Sequence, residues 1–286
     1  MRPWKQTVNS ALVHAIGYQL ERPKSAGLGR AETVTQRLET VTKRLEKLYK
    51  SAAKPAAAKA PYFPEDFDEE LRQVILDVRP YTKTSKDKLH ALITATRYVN
   101  KYQIAGDVVE CGVWRGGSMH AVARTLDALG DHSRDLYLFD TFDGMTAPTD
   151  KDLRTGDSRS ARELMDQSTK DQSIWAYASL EDVVAGFATV PYPAEKVHYI
   201  QGKVEDTVPG DAPASIALLR LDTDWYESTK HELDHLYPRL VSGGILIIDD
   251  YGSWQGSAQA TDEFLEATDD NLMLMRAGTG RVAIKP

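Results

Sequence analysis

The chain has 286 residues, 42% hydrophobic and 27% charged, ordinary proportions for a globular protein and enough for one large α/β domain with an appendage. Its net charge of −7 is unevenly spread: residues 1–60 hold 12 Lys and Arg against 4 Asp and Glu, leaving −15 on the remainder, which argues against nucleic acid as a partner. The single cysteine, Cys111, excludes an internal disulfide and a cysteine-rich metal site and fits a reducing cytoplasm, and no apolar run approaches the roughly 20 residues that span a bilayer.

The basic start, Met1-Arg2-Pro3-Trp4-Lys5, is not followed by a clean apolar core, so it is expected to be retained rather than cleaved as a signal peptide. Val8, Leu12, Ile16 and Leu20 predict a short amphipathic helix over 4–20, interrupted by Pro23, Gly27 and Gly29. Val34, Leu38, Val41, Leu45 and Leu48 then form a heptad seam of about two repeats. That seam reads as a dimer-forming or docking helix, which would make the chain a homo-oligomer, or as a surface helix on its own domain. The positive surplus suits either plain solvation or peripheral contact with anionic lipid. Residues 51–61, rich in Ala, Lys and Pro, read as a linker, dividing a helical extension (1–60) from a catalytic domain (61–286).

Within the second part, Leu89, Leu92, Ile93, Thr96 and Val99 predict a helix over 86–103. Strand-length apolar runs follow at Asp107–Cys111, Leu136–Asp140, Val197–Gly202, Ile216–Asp222, Gly244–Asp250, Asn271–Met275 and Arg281–Ile284. Alternation of such strands with helices implies an α/β fold with a mainly parallel sheet covered on both faces. The turn signal Arg276–Gly280 predicts an antiparallel pair at the end. The polar stretch from Gly144 to about Ser173 has few apolar anchors and is expected to be a lid over the site, or else a mobile loop.

Two segments carry chemistry. Val108-Val109-Glu110-Cys111-Gly112-Val113-Trp114-Arg115-Gly116-Gly117-Ser118 runs from a strand into a helix. Gly112 allows the turn, and Gly116 and Gly117 allow a ligand close to the backbone at a helix N-terminus. Asp140, ending the next strand, is placed to accept the hydroxyls of a ribose, with a turn or cap role as the plainer alternative. Arg115 suits a phosphate, so the loop alone does not separate an S-adenosyl compound from NAD.

The second is a set of aspartates. Leu218-Leu219-Arg220-Leu221-Asp222-Thr223-Asp224 and Leu246-Ile247-Ile248-Asp249-Asp250 are two apolar strands that each end in a pair of carboxylates. Four such groups on one sheet edge would repel each other unless a cation lay between them, and oxygen-only ligation suits a hard ion such as Mg²⁺. A natural division puts Asp222, Asp249 and Asp250 on the metal and Asp224 one step outward, toward substrate, as a proton acceptor.

The segment Glu110–Ser118, Asp140-Thr141-Phe142-Asp143-Gly144, Gly202–Pro209, Leu219–Thr229, Gly243-Gly244 and Asp249-Asp250-Tyr251 together resemble the TylF/macrocin O-methyltransferase family, in family order over roughly residues 80–265. The resemblance implies a Rossmann-like class I methyltransferase with a seven-stranded sheet, using S-adenosylmethionine and Mg²⁺ to methylate a sugar hydroxyl. It implies Asp222, Asp249 and Asp250 as metal ligands and Asp224 as general base. Glu110, Gly112, Gly116, Ser118 and Asp140 are implied around S-adenosylmethionine, with Thr84 and Ser85 near its methionine end. The extension lies outside the pattern, which widens the expected acceptor from natural-product glycosides to cell-surface polysaccharide or glycolipid sugars.

Other readings compete with this one. Tyr226 and Lys230 match the Tyr-x-x-x-Lys pair of short-chain dehydrogenases, and Asp222-Thr223-Asp224 matches the Asp-x-Asp of metal-dependent glycosyltransferases. A non-catalytic sugar-binding protein is a third class. Among the histidines, His231 and His235 alone have helical metal spacing, and an ordinary helix face is the expectation there. Trp114 and Trp225 are expected either in the pocket or in the core.

Overall fold

The computed structural model describes residues 63–170 and 172–286, so the expectations for residues 1–60 lie outside the described residues: the two helices, the lipid contact and the oligomer-forming seam. Two helices lead in. Helix α1 (Glu69–Val78) is capped by Asp68, which accepts from Leu71 N at 2.8 Å, and buries Leu71, Val74, Ile75 and Val78. Helix α2 (Lys86–Lys101) starts on Ser85 as N-cap and buries the predicted stripe Leu89, Leu92, Ile93, Thr96 and Val99.

The remaining order is β1 (Asp107–Cys111), α3 (Gly117–Ala128), β2 (Leu136–Asp140), α4 (Ala161–Asp166), α5 (Leu180–Phe187), β3 (Val197–Gln201), α6 (Val204–Thr207), β4 (Ile216–Leu221), α7 (Tyr226–Leu236), β5 (Leu240–Ile248), α8 (Gln255–Ala267), β6 (Met275–Ala277) and β7 (Gly280–Ile284). The seven strands form one sheet in the order β3-β2-β1-β4-β5-β7-β6. The first five are parallel, and β7 and β6 close the edge antiparallel. Because β1 leads to β2 on one side and has β4 on the other, the strand order reverses between β1 and β4. A crevice opens there at the carboxyl ends of both strands.

Alternation along the strands divides the core. Val108, Leu136, Leu138, Leu218, Ile245 and Ile247 face the side covered by α2 and α3. Val109, Cys111, Phe139, Leu219, Leu221, Leu246 and Ile248 face the side where α7 contributes Leu233 and Leu236. Glu110 and Arg220, paired in register across β1 and β4, fall on the α2/α3 side where the pattern calls for apolar residues.

Several strand ends shift by one or two residues, and two strands start four residues from the sequence expectation. Strand β5 begins at Leu240 rather than Gly244, because Leu240 pairs with Ile216 of β4 across a register shift, while Gly243, at a positive φ of 78°, donates to Lys285 O on the other side. Strand β6 begins only at Met275, where Val282 lies opposite; Met273 before it is 77% exposed, and the turn shrinks to Gly278-Thr279. The stretch 144–173 is also better anchored than its polarity suggests. Ala161 and Met165 pack with Trp225 and Trp254, flanked by Met145, Leu164, Ile174 and Trp175. Asp152, fully buried, accepts from Thr149 N (2.6 Å) and Tyr226 N (2.7 Å), tying the segment to the start of α7.

Helix α3 carries a buried histidine. His120 lies between the rings of Tyr81 (4.7 Å) and Phe187 (4.5 Å), and neither ring nitrogen has a partner among the described residues. Burial, helped by nearby Arg124, pushes its pKa down to about 4. The unfolded chain takes up that proton near pH 6.5 and the folded one near 4, so stability is full above 6.5 and falls as pH drops through this window. About 2 kcal/mol should be lost between pH 7 and 5 from this group alone. Urea unfolding of the wild type and His120→Phe at both pH values checks it; equal losses in the two proteins would show that His120 contributes nothing.

Candidate active site

The strand-to-helix loop after β1 is shaped by backbone contacts. Gly112 has φ 81°, and a Cβ there would stand 2.1 Å from the carbonyl oxygen of Asp222, so only glycine lets the ends of β1 and β4 approach. Gly117 is needed for a similar reason: its Cβ would collide with the Tyr81 backbone at 2.6 Å, which assigns it to packing rather than to ligand approach. Asp140 clamps the loop, its Oδ2 accepting from Val113 N (2.7 Å) and Trp114 N (2.9 Å) and its Oδ1 from Phe142 N (2.8 Å). It is both the turn residue of the plainer expectation and part of the cavity wall.

A cavity of about 610 Å³ occupies the crevice. Nine residues expected in the site line it: Thr84, Ser85, Gly112, Ser118, Asp140, Asp222, Asp224, Asp249 and Asp250. Glu110 and Gly116 do not. Glu110 is 1% exposed and turned beneath the floor toward Arg220, while Gly116, in a left-handed conformation, stands against His120 and Val183. Arg115 also turns away, donating to Pro80 O at 2.9 Å, so the phosphate role suggested for it has no support from geometry. The 144–173 segment and its end frame the cavity with Gly144, Met145, Thr146, Ser173 and Ile174. Trp114 lines it too, whereas Trp225 is buried against Trp254, and Trp254 takes the wall position.

The aspartates converge as their spacing suggests. Asp222 N donates to Cys111 O (2.8 Å) and Asp249 N to Leu221 O (2.9 Å), so sheet-like bonding carries both residues just past the strand ends. Asp222, Asp249 and Asp250 each bring one carboxylate oxygen within 4.8 Å of the others. Asp224 stands beside them on a left-handed backbone (φ 66°), with Asp250 and Trp254 in hydrogen-bonding reach. Burial and the adjacent Asp222 push its carboxyl up to about 7. Burial likewise raises Asp222 and Asp250 well above the usual carboxylate range, while Arg220 and Lys88 hold Asp249 below it.

Sequence reasoning missed the cations that already serve this cluster. Arg220, 2% exposed, donates from Nη1 to Glu110 and to Asp222 Oδ2 (2.7 Å), and from Nη2 to Asp249 Oδ1 (2.5 Å) and Thr84 Oγ1 (3.3 Å). Lys88 Nζ holds the other oxygen of Asp249. Repulsion among four unopposed carboxylates is therefore not the argument for a metal. The signal in the sequence was an arginine inside an otherwise apolar strand, which a fully buried parallel sheet tolerates only when the charge is paired. Lys83, also missed, lies 4.2 Å over the Trp114 ring and donates to Ser173 O at 2.9 Å, joining the loop after β1 to the 144–173 segment across the cavity rim.

Within the triad, Asp250 is the member left unmet. Its Oδ2 is buried with no partner among the described residues, and burial beside Asp224 and Asp249 raises its carboxyl. Three converging carboxylates, one of them with an oxygen that no protein donor meets, fit a hard divalent cation.

The profile of the macrocin O-methyltransferase (TylF) family matches residues 13–276. The chain belongs to that family. The match begins inside the extension, so the extension is not foreign to the family and no longer gives a reason to widen the acceptor beyond it. This TylF-family chain is 35% identical over 154 residues to the 8-demethyl-8-(2,3-dimethoxy-alpha-L-rhamnosyl)-tetracenomycin-C 4'-O-methyltransferase of Streptomyces olivaceus, covering 52% of this chain and 54% of that one. It is 34% identical over 161 residues to the demethyldecarbamoylnovobiocin O-methyltransferase of Streptomyces niveus, covering 56% and 58%. The match thus spans little more than half the length of these relatives. The O-methyltransferase NovP superposes with a TM-score of 0.62 at 29% identity, over 71% of this chain and 81% of that one. The fold is that of the class I methyltransferases.

Two of the competing pairs do not assemble in this TylF-family structure. Tyr226 OH donates to Glu263 (2.6 Å) and Lys230 pairs with Asp234 (3.2 Å), both away from the cavity, so they form no dehydrogenase pair. His231 and His235 stack at 4.1 Å and turn their nitrogens to the carbonyls of Val208 and His231, as an ordinary helix face would. No described helix is long and apolar enough to cross a membrane.

Proposed function

We propose that the protein transfers the methyl group of S-adenosylmethionine to a hydroxyl of a sugar carried by a natural-product glycoside. In this reading Asp222, Asp249 and Asp250 hold a divalent cation, Mg²⁺ in the first place. One observation carries the proposal: a single cavity joins the glycine loop and Asp140 to the aspartate cluster, with Asp224 between them and outside the triad. The names of the relatives, a 4'-O-methyltransferase of a rhamnosyl-tetracenomycin and an O-methyltransferase of demethyldecarbamoylnovobiocin, support the acceptor class.

Asp140 and the loop behind Gly112 receive the nucleoside part of the donor, and Thr84 and Ser118, their hydroxyls 3.4 Å apart, face its amino-acid end. When bound, the cation supplies positive charge that gathers the acceptor's oxygens and steadies developing alkoxide. Asp224 Oδ removes the hydroxyl proton as the carbon–oxygen bond forms and the carbon–sulfur bond breaks. Met145, Ile174 and Trp254 exclude water from this side of the cavity. Most of the acceleration is assigned to orientation and to fixed charge.

The test is a transfer assay with labelled S-adenosylmethionine over deoxysugar glycosides and, as the wider alternative, cell-surface polysaccharide fragments. Transfer should fall at least about 100-fold after exhaustive EDTA treatment and return with Mg²⁺. Activity that survives EDTA would remove the metal from the reading. A protein whose thermal midpoint ignores S-adenosylmethionine would instead be a non-catalytic sugar binder.

A further inference from the structure

Arg220 is in contact with both halves of the cavity. Its guanidinium Nη1 donates to Glu110 and to Asp222 Oδ2 (2.7 Å), and its Nη2 to Asp249 Oδ1 (2.5 Å), so each nitrogen holds one member of the carboxylate triad. The same Nη2 also donates to Thr84 Oγ1 at 3.3 Å, and Thr84 Oγ1 lies 3.4 Å from Ser118 Oγ at the start of α3. The network is short at its acidic end and slack at its hydroxyl end. Its centre is buried, with Arg220 2% exposed, Glu110 1% and Ser118 4%, while Asp222 reaches the cavity. Thr84 and Ser118 stand on the cavity wall, while Arg220 and Glu110 stand behind it.

We propose that Arg220 is a positioning residue that couples the cation site to the methyl-donor site, so that each ligand tightens the binding of the other. This rests on the reading given under Proposed function, in which the triad takes a divalent cation and the Thr84–Ser118 wall takes the donor. A guanidinium presents its donors in a rigid fork, so a change in its partners on one edge shifts the whole group. A dication drawn to Asp222 and Asp249 competes with Arg220 for their oxygens. Released from that pull, the fork settles toward Glu110 and Thr84, shortening the slack contacts and fixing the two hydroxyls that face the donor. Occupation by the donor, which orders Thr84 and Ser118, holds the fork off the triad and opens it to the cation. Linkage makes the two effects equal in size.

The experiment is a two-by-two calorimetric titration of the full chain. Mn²⁺ affinity is measured with and without saturating S-adenosylhomocysteine, and S-adenosylhomocysteine affinity with and without saturating Mn²⁺. In the wild type each ligand should raise the affinity of the other by about tenfold, within the usual range for coupled sites. In Arg220→Lys, which keeps one charge but loses the fork, and in Thr84→Val, which keeps shape but cuts the link to Ser118, both ligands should bind with a coupling factor near one. In turnover, the donor KM should fall with rising Mg²⁺ in the wild type and stay flat in the variants. Should Arg220→Lys fail to fold, Thr84→Val carries the test, because its arginine network on the acidic side is intact. Ligands that bind the wild type independently, or a coupling factor unchanged in the folded variants, would overturn the proposal while leaving the methyltransferase reading in place. Failure of the wild type to bind either ligand would overturn that reading and this inference with it.

Discussion

Asp224→Asn should lower methyl transfer by about 10² to 10⁴-fold while leaving the affinity for S-adenosylmethionine within about twofold of the wild type. Asn is the informative replacement because it keeps the shape and tolerates the left-handed backbone that Asp224 adopts at φ 66°, where alanine would add strain of its own. Asp224 lies outside the triad whose oxygens converge, yet on the same cavity wall, so losing its charge removes a proton acceptor without removing a ligand. Burial and Asp222 push its carboxyl up to about 7 in the metal-free protein. The ionised form is the active one, so the single-turnover rate should rise with pH through that region, and a dication nearby should move the limb to lower pH. The variant should lack the limb. Single-turnover rates across pH 5.5–9, paired with calorimetric donor binding, measure both. A rate within tenfold of the wild type would remove Asp224 from proton transfer.

The strands and the triad were legible because their signals are local. Apolar runs ending in acids mark strands whose carboxyl ends meet in a crevice, and Asp222 and Asp249 emerge side by side because β4 and β5 pair in register, Leu221 opposite Ile248. The role of Arg220 is not legible from its motif, since its partners come from three distant places, Glu110, Asp249 and Thr84. Lys88 was hidden for the same reason: a lysine one turn into a helix looks like a solvated face until β5 is placed beside it. The glycines were legible as a turn, but which glycine serves packing depends on what lies opposite; Gly117 faces the Tyr81 backbone rather than a ligand. The anchoring of the stretch 144–173 was hidden because its few apolar residues are spaced for no helix or strand, yet they gather on Trp225 and Trp254, which belong to other elements. Local pattern announces an element, and only topology announces a partner.

The two sides of the cluster also explain why the site is built with cations of its own. Arg220 and Lys88 neutralise Asp249 from both oxygens and leave Asp250 to the outside, so the triad has one satisfied member on which the fold depends and one unsatisfied member free for a ligand. Sites that bind ions commonly keep such a strained group at a cost in stability.

Asp250→Asn should therefore separate function from stability with opposite signs. Transfer should drop at least about 100-fold, because a neutral amide is a poor ligand for a hard dication. The metal-free protein should become more stable. Asp250 is 6% exposed, its Oδ2 has no partner among the described residues, and burial next to Asp224 and Asp249 raises its carboxyl well above the usual range. A carboxyl with a raised folded-state pKa destabilises the fold once pH exceeds the unfolded value, and the penalty grows until the folded group ionises too. The amide escapes that penalty and can donate toward Asp224. At pH 8 in EDTA the gain should be about 1–2 kcal/mol, a few degrees in thermal midpoint for a chain of this size. The wild type should recover the difference when Mg²⁺ is added, by about 2.7 kcal/mol at 100 times its Kd, and the variant should not respond. Thermal melts of both proteins in EDTA and in Mg²⁺ give all four values. A variant that melts below the wild type in EDTA and still rises with Mg²⁺ would place the cation, if one binds, elsewhere than on Asp250.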